Sequence, residues 1–279
     1  MSSLTITLIQ TNLYWENKKA NLDMLQQKIE SIQEKTEVVV LPEMFTTGFS
    51  MKPEIFAEKM DGETVQWMKK MAASKKIILT GSVIIEDPSA NAQGKGKYFN
   101  RLIWMLPNGE YGVYDKRHLF AYADEHEHYC AGNKKLIASV KGWKINLQVC
   151  YDLRFPVWTR QSRISMPMTI GGEIPEPQYD LLINVANWPE KRRVAWETLL
   201  RARAIENQCF VVGVNRIGED GNKIYYEGHS TIIDPLGEII YYKNTDEDVA
   251  TYTLQKEKVT ETRKRYPFWR DADVFSINE

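Results

Sequence analysis

Val38-Val39-Val40-Leu41-Pro42-Glu43 places four apolar residues in a row, stops them with a proline and follows at once with a carboxylate. The run is too short for a helix, and its lack of polar residues fits a strand covered on both faces, as strands are in the middle of a layered protein. Working outward from it, residues 5–10 alternate apolar and polar side chains, which predicts a strand, and Ala20, Leu22, Met24, Leu25, Ile29 and Ile32 recur at helical spacing. Beyond Glu43 the pattern repeats. A helix is predicted over 64–74 and a strand over 77–85, and two further strands, 98–106 and 110–114, are joined by the turn Pro107-Asn108-Gly109. Strands at 143–149, 181–185, 210–215, 230–233 and 238–242, with a helix over 194–207, complete the set. Strands interleaved with helices predict an α/β layered fold. The turns at Asn108-Gly109 and Pro235-Leu236-Gly237 favour mixed sheets over all-parallel ones. Residues 87–97 read as a hairpin loop, in which Gly94-Lys95-Gly96-Lys97 lacks the spacing of a phosphate loop. Residues 160–177 form the longest irregular stretch, an insertion or a lid, but the chain does not divide there, and 1–279 is expected to be one domain.

The 279 residues are 43% hydrophobic and 26% charged, ordinary proportions for a globular protein, and the formal charge of -1 gives no bulk attraction to nucleic acid or an anionic membrane. No apolar run is long enough to span a bilayer, and the first residues lack the basic and apolar regions of a secretory signal. Three widely spaced cysteines do not make a disulfide framework. A cytoplasmic setting is expected, where a functional thiol stays free.

Three segments share one design, a predicted strand end followed by a reactive side chain: residues 38–43 end on Glu43, Val113-Tyr114-Asp115-Lys116 on a lysine, and Ile145-Asn146-Leu147-Gln148-Val149-Cys150 on a thiol. Strand ends are where a rigid scaffold meets solvent, so reactive groups gather there. Any one of them alone is ordinary: a cysteine ending a strand is usually a small buried hydrophobe and a lone charge a solvated one. Together a carboxylate, an ammonium and a thiol have complementary chemistry.

The words around them, Leu41-Pro42-Glu43-Met44-Phe45, Tyr114-Asp115-Lys116-Arg117-His118-Leu119-Phe120 and Val149-Cys150-Tyr151-Asp152-Leu153-Arg154-Phe155-Pro156, resemble the three signature segments of the nitrilase superfamily. The resemblance continues through Asn184-Val185-Ala186-Asn187-Trp188-Pro189, residues 201–207 and Tyr266-Pro267-Phe268-Trp269, so it covers essentially the whole chain, and within the superfamily it is strongest to the omega-amidases. It implies a four-layer αββα sandwich, subunits paired as homodimers through outer helices, and hydrolysis of the terminal amide of a short 2-oxo acid with 2-oxoglutaramate foremost. Cys150 would be the nucleophile, Glu43 the general base turned general acid, and Lys116, with the backbone N–H of Tyr151, the oxyanion donor. A nearby Lys116 ammonium is expected to favour the thiolate. No metal or organic cofactor is required. The resemblance also implies a second glutamate seven residues before a glycine; Glu125 stands so before Gly132, whereas Glu127 is two residues nearer, and Glu125 is assigned to hold Lys116.

Tyr151, Arg154, Asn187 and Trp188 follow strand ends and are candidates for the substrate wall. Arg154 is also placed to form an ion pair with Asp152, and Lys191-Arg192-Arg193 is either a solvated helix start or a source of positive field for an acidic substrate. Asp124-Glu125-His126-Glu127-His128 would suit a metal only in an extended loop, and no HExxH accompanies it. His118 reads as a hydrogen-bonding neighbour of Lys116, Cys209 as core and Cys130 as an exposed bystander. The same catalytic residues would serve a nitrilase or a carbamoyl hydrolase, and a fold of this kind without turnover would be an interaction module. An intact set of Glu43, Lys116, Cys150 and Glu125 favours the enzyme.

Overall fold

The computed structural model describes residues 2–87, 97–161, 177–273 and 275–277. Most of the expected hairpin loop at 87–97 and of the irregular stretch at 160–177 therefore lies outside the described residues. The first sheet is built from β1 (Ser3–Gln10), β2 (Val38–Val40), β3 (Ile78–Asp87), β4 (Lys97–Met105), β5 (Tyr111–Asp115) and, from near the C-terminus, β14 (Asp248–Gln255), in the order β14-β1-β2-β3-β4-β5. The second is built from β6 (Ile137–Val140), β7 (Trp143–Val149), β8 (Leu181–Ala186), β9 (Phe210–Asn215), β12 (Ser230–Ile233) and β13 (Ile239–Lys243), in the order β13-β12-β9-β8-β7-β6. Each has three parallel strands at its centre, β1-β2-β3 and β7-β8-β9, flanked by antiparallel neighbours. A short ribbon of β10 (Ile217–Glu219) and β11 (Tyr225–Glu227) stands apart.

Period-two alternation sends the apolar side chains of the central strands to two different layers. Leu4, Ile6, Leu8, Val38 and Val40 pack in one core cluster with Ile145 and Leu147 of the facing sheet. Val39 and Leu79 point the other way, into a cluster with Leu25 of α1 (Lys18–Glu30) and with Val65 and Met68 of α3 (Glu63–Lys75). The second sheet is covered by α6 (Arg193–Asn207), whose buried Trp196, Leu200, Arg203, Ala204 and Asn207 recur at helical spacing on one face. Gly213 of β9 makes that approach possible, since a Cβ there would lie 2.5 Å from Leu200. The layers are thus helix, sheet, sheet, helix, the predicted αββα sandwich. Short helices α2 (Pro53–Phe56), α4 (Glu125–His128) and α5 (Pro156–Thr159) and the C-terminal α7 (Lys256–Arg265) are accompanied by short 3-10 turns, one of which, Cys150–Arg154, follows β7.

Candidate active site

The sandwich brings the C-terminal ends of β2, β5, β7 and β8 to one place. After β2, Leu41 still pairs with Thr80 of the neighbouring strand, and the chain then turns at Met44, whose φ is 42° and whose N–H is held by Ser82 Oγ at 2.8 Å. Glu43 sits inside that turn with no exposed surface. Its Oε1 accepts from Lys116 Nζ at 3.0 Å and from Asn100 Nδ2 at 2.8 Å, and its Oε2 accepts from the Asn187 N–H at 2.7 Å. Asn187 also donates its side-chain amide to the Glu43 carbonyl at 2.7 Å. Both Asn187 donors therefore hold Glu43.

Lys116 leaves the end of β5, and its ammonium reaches both oxygens of Glu125, at 3.0 and 2.8 Å, as well as Glu43. Glu125 is the first residue of α4, and its carboxylate is fixed from behind by the Phe120 N–H at 2.6 Å. Asp124-Glu125-His126-Glu127-His128 is thus a helical turn rather than an extended loop, which sends Glu125 inward and leaves His126 paired with the exposed Glu127 at 3.0 Å. The glycine that frames the loop has a steric reason: a Cβ on Gly132 would fall 2.2 Å from the Asp115 carbonyl. Burial works against the Lys116 charge, but the Glu125 and Glu43 carboxylates outweigh it and hold the ammonium above the ordinary lysine range. Burial also raises Glu125, Lys116 opposing and Glu43 adding to the rise.

Cys150 follows β7 with φ of 46°, a left-handed conformation that costs a non-glycine residue about 1 kcal/mol or more. Its sulfur is almost fully buried and lies 3.9 Å from the Asn187 carbonyl. Burial first, then the Glu43 charge, pushes the thiol well above its usual range, and Lys116 only partly offsets them. Lys116 favours the thiolate, as expected, but burial and Glu43 oppose it more strongly. Both buried carboxylates, Glu43 and Glu125, work against the thiolate.

Above the sulfur is a narrow cleft of about 40 Å³ whose wall includes Phe49, Phe120, Tyr151, Arg154, Trp188 and Arg192, with Ile224 and Tyr226 from the β10-β11 ribbon closing one side. Asn187 reaches it as well. Arg154 lies over the Trp188 ring at 5.1 Å and Arg192 over Phe120 at 4.9 Å. Among the described residues neither guanidinium has an ion-pair partner. The expected pair of Arg154 with Asp152 does not form, because Asp152 is turned inward onto Tyr114, His118 and the Val149 N–H. In the basic run, Arg193 pairs with Glu227 at 3.5 Å and only Arg192 faces the cleft. Trp188 does two jobs, lining the cleft and packing on Trp196 at 5.5 Å. Cys209 is core, burial raising it to about 12, and Cys130 is half-buried away from the cleft.

Sequence reasoning missed Asn100, Phe49, Ile224 and Tyr226. Phe120 closes the Tyr114 to Phe120 word and carried a signal. Asn100 did not, being one polar residue in an alternating strand.

A profile of the carbon-nitrogen hydrolase family matches residues 5–264. The chain belongs to that family. It is 41% identical to omega-amidase YafV of Escherichia coli K12 over 99% of this chain and 100% of the relative. A 2-oxoglutaramate amidase of Bacillus subtilis is 31% identical over 96% of each. Among solved structures, the CN-hydrolase superfamily protein XC1258 of Xanthomonas campestris, described with an arsenic adduct in its active site, is 42% identical with a TM-score of 0.92, each chain covered in full. Saccharomyces cerevisiae Nit3, 25% identical, superposes with a TM-score of 0.80 over 95% of each chain. This carbon-nitrogen hydrolase is an enzyme of the amidase kind.

Proposed function

We propose that the enzyme hydrolyses the terminal amide of a short 2-oxo acid, 2-oxoglutaramate foremost, to the carboxylate and ammonia through a thioester on Cys150. The observation that carries this reading is the pairing, in one narrow cleft, of a buried Glu43–Lys116–Glu125 cluster beside a thiol with two guanidiniums in the wall, Arg154 and Arg192, that have no ion-pair partner among the described residues. The names of the relatives, omega-amidase and 2-oxoglutaramate amidase, support the same substrate. Glu43 takes the thiol proton as sulfur attacks the amide carbon, and the carbonyl electrons move onto oxygen. Lys116, kept cationic by its two carboxylates, and the Tyr151 N–H stabilise that oxyanion. Glu43 returns the proton to nitrogen as the C–N bond breaks, which makes ammonia the leaving group. The acyl group stays on sulfur. Glu43 then takes a proton from water, hydroxide attacks the thioester, and the C–S bond breaks to give the acid and the thiol. Glu125 holds Lys116 in place, while Arg154 and Arg192 receive the anionic oxo-acid end. The test is kcat/KM on 2-oxoglutaramate, glutamine and a neutral aliphatic amide of similar length. The oxo acid is expected to lead, with glutamine disfavoured by its ammonium; equal rates, or preference for a nitrile or carbamoyl compound, would overturn the substrate assignment.

The reading extends to the whole protein. One core cluster runs across both sheets, which supports reading residues 1–279 as one domain, and a cytoplasmic setting is proposed with it because a functional thiol stays free there. A second copy seats on α6 and β13, where Thr198, Arg201, Ile205, Ile239 and Tyr242 border a depression of about 750 Å³. Light scattering should give twice the 32.4 kDa chain mass.

A further inference from the structure

The Asp152 carboxylate is fully buried, yet it faces away from the cleft and takes no part in the chemistry above. One oxygen accepts from Tyr114 Oη at 2.7 Å and the Val149 N–H at 3.1 Å. The other accepts from the His118 N–H at 3.0 Å and its Nδ1 at 2.8 Å. These partners have a pattern. Tyr114 and His118 lie two residues either side of Lys116, and Val149 and Asp152 bracket Cys150. One carboxylate therefore clamps the segment that carries the ammonium to the turn that carries the sulfur, across 34 to 38 residues of sequence. The clamp is itself stiffened. The His118 ring stacks on Phe155 at 3.7 Å and 5°, and Trp158 Nε1 donates to Tyr114 Oη at 3.0 Å.

We propose that Asp152 is a positioning residue which, through Tyr114 and His118, sets the Lys116 ammonium against the Cys150 sulfur. A buried carboxylate with four donors is costly to disturb and geometrically exacting, which suits it to fixing two loops that share no backbone pairing. Lys116 is the buried ammonium that favours the Cys150 thiolate, Glu43 and Glu125 oppose it, and Arg154 and Arg192 stand in the cleft wall above the sulfur. Loosening the clamp lets the ammonium drift while both carboxylates stay, so the thiolate becomes harder to form.

The inference rests on Cys150 and Lys116 working together, and its test does not depend on the substrate. In the full-length chain, alkylation of Cys150 by iodoacetamide is followed against pH by mass spectrometry. Tyr114→Phe and His118→Ala should move the inflection to higher pH and slow alkylation at neutral pH by up to about tenfold, the equivalent of one pKa unit. His118→Asn, which restores a donor near the Nδ1 position, should return the profile towards that of the unsubstituted chain. Asp152→Asn separates the explanations by sign: removing a nearby negative charge would by itself lower the inflection, whereas losing the clamp raises it. In a Lys116→Ala background, His118→Ala should add no further shift. Profiles that superimpose on the unsubstituted chain while the Tm falls, or a downward shift for Asp152→Asn, would show a merely structural carboxylate and overturn the proposal. A chain that releases no ammonia from any amide but shows these shifts would remove the substrate assignment and leave the clamp standing.

Discussion

Lys116 and Arg154 are both cations in one cleft, yet the enzyme holds them in opposite ways. Lys116 has no exposed surface and is bonded to two carboxylates that are equally buried. Arg154, like Arg192, is half-buried, sits over an aromatic ring and has no carboxylate partner among the described residues. The difference follows from what each charge must do. An ammonium taken fully out of water survives only with partners already in place, and once paired it is pre-organised for charge that develops during reaction. A guanidinium meant for an incoming anion must keep its donors open, and stacking on a ring fixes its plane without using them. The floor of the cleft is a finished network, while the wall leaves its guanidinium donors open, as the proposed docking of an anionic substrate end requires.

The comparison breaks most completely at the floor. Cys150→Ala should abolish turnover with the fold intact, and intact-protein mass spectrometry with a slow substrate should find the acyl adduct on Cys150 and on neither Cys130 nor Cys209. Glu43→Gln and Lys116→Ala should each lower kcat by about a hundredfold or more. Lys116→Ala should also lower the Tm, because stranding two buried carboxylates costs about 3–5 kcal/mol. Glu125→Gln keeps the shape and one oxygen acceptor, so kcat should fall about tenfold or more by steady-state assay, while Glu127→Gln, on the exposed side of the same turn, should stay within about twofold of the unsubstituted chain.

The wall should fail differently. Arg154→Met and Arg192→Met should raise KM for the oxo acid, about tenfold each for a lost charge-assisted contact, with kcat changed less and a neutral amide unaffected. A fall in kcat with KM unchanged would move these arginines from the wall to the floor. The smallest expected effect is that of exhaustive chelation, which should leave the rate as it was; loss restored by added zinc would revive the metal reading of residues 124–128.

How far the sequence could be read follows the same division. Central strands such as Val38–Val40 and Leu181–Ala186 were legible because burial on both faces leaves them without polar residues. The edge strand β6, the ribbon β10-β11 and the outer strand β14 were not, since half-exposed side chains blur the alternation, and α7 carries too many charges to show an apolar stripe. Glu43, Lys116 and Cys150 stood out because each follows a predicted strand end inside a word resembling a nitrilase signature, whereas Glu125 was picked out by that resemblance alone, from its spacing to Gly132.

By itself the sequence determined the alternation of strands and helices in an α/β layered fold, because period-two and helical patterns are local properties of the chain, while the αββα sandwich and the roles given to Glu43, Lys116, Glu125 and Cys150 came with the resemblance of the surrounding words to the nitrilase superfamily. Only the tertiary structure decided that Asp152 serves His118 and Tyr114 instead of Arg154, that Arg192 alone of its basic run faces the cleft, and that burial and Glu43 raise the Cys150 thiol against the pull of Lys116. Those outcomes depend on which buried groups from distant segments come within hydrogen-bond reach. In a low-dielectric interior such neighbours, not the residue's own chemistry, decide whether a charge is paired, open or suppressed.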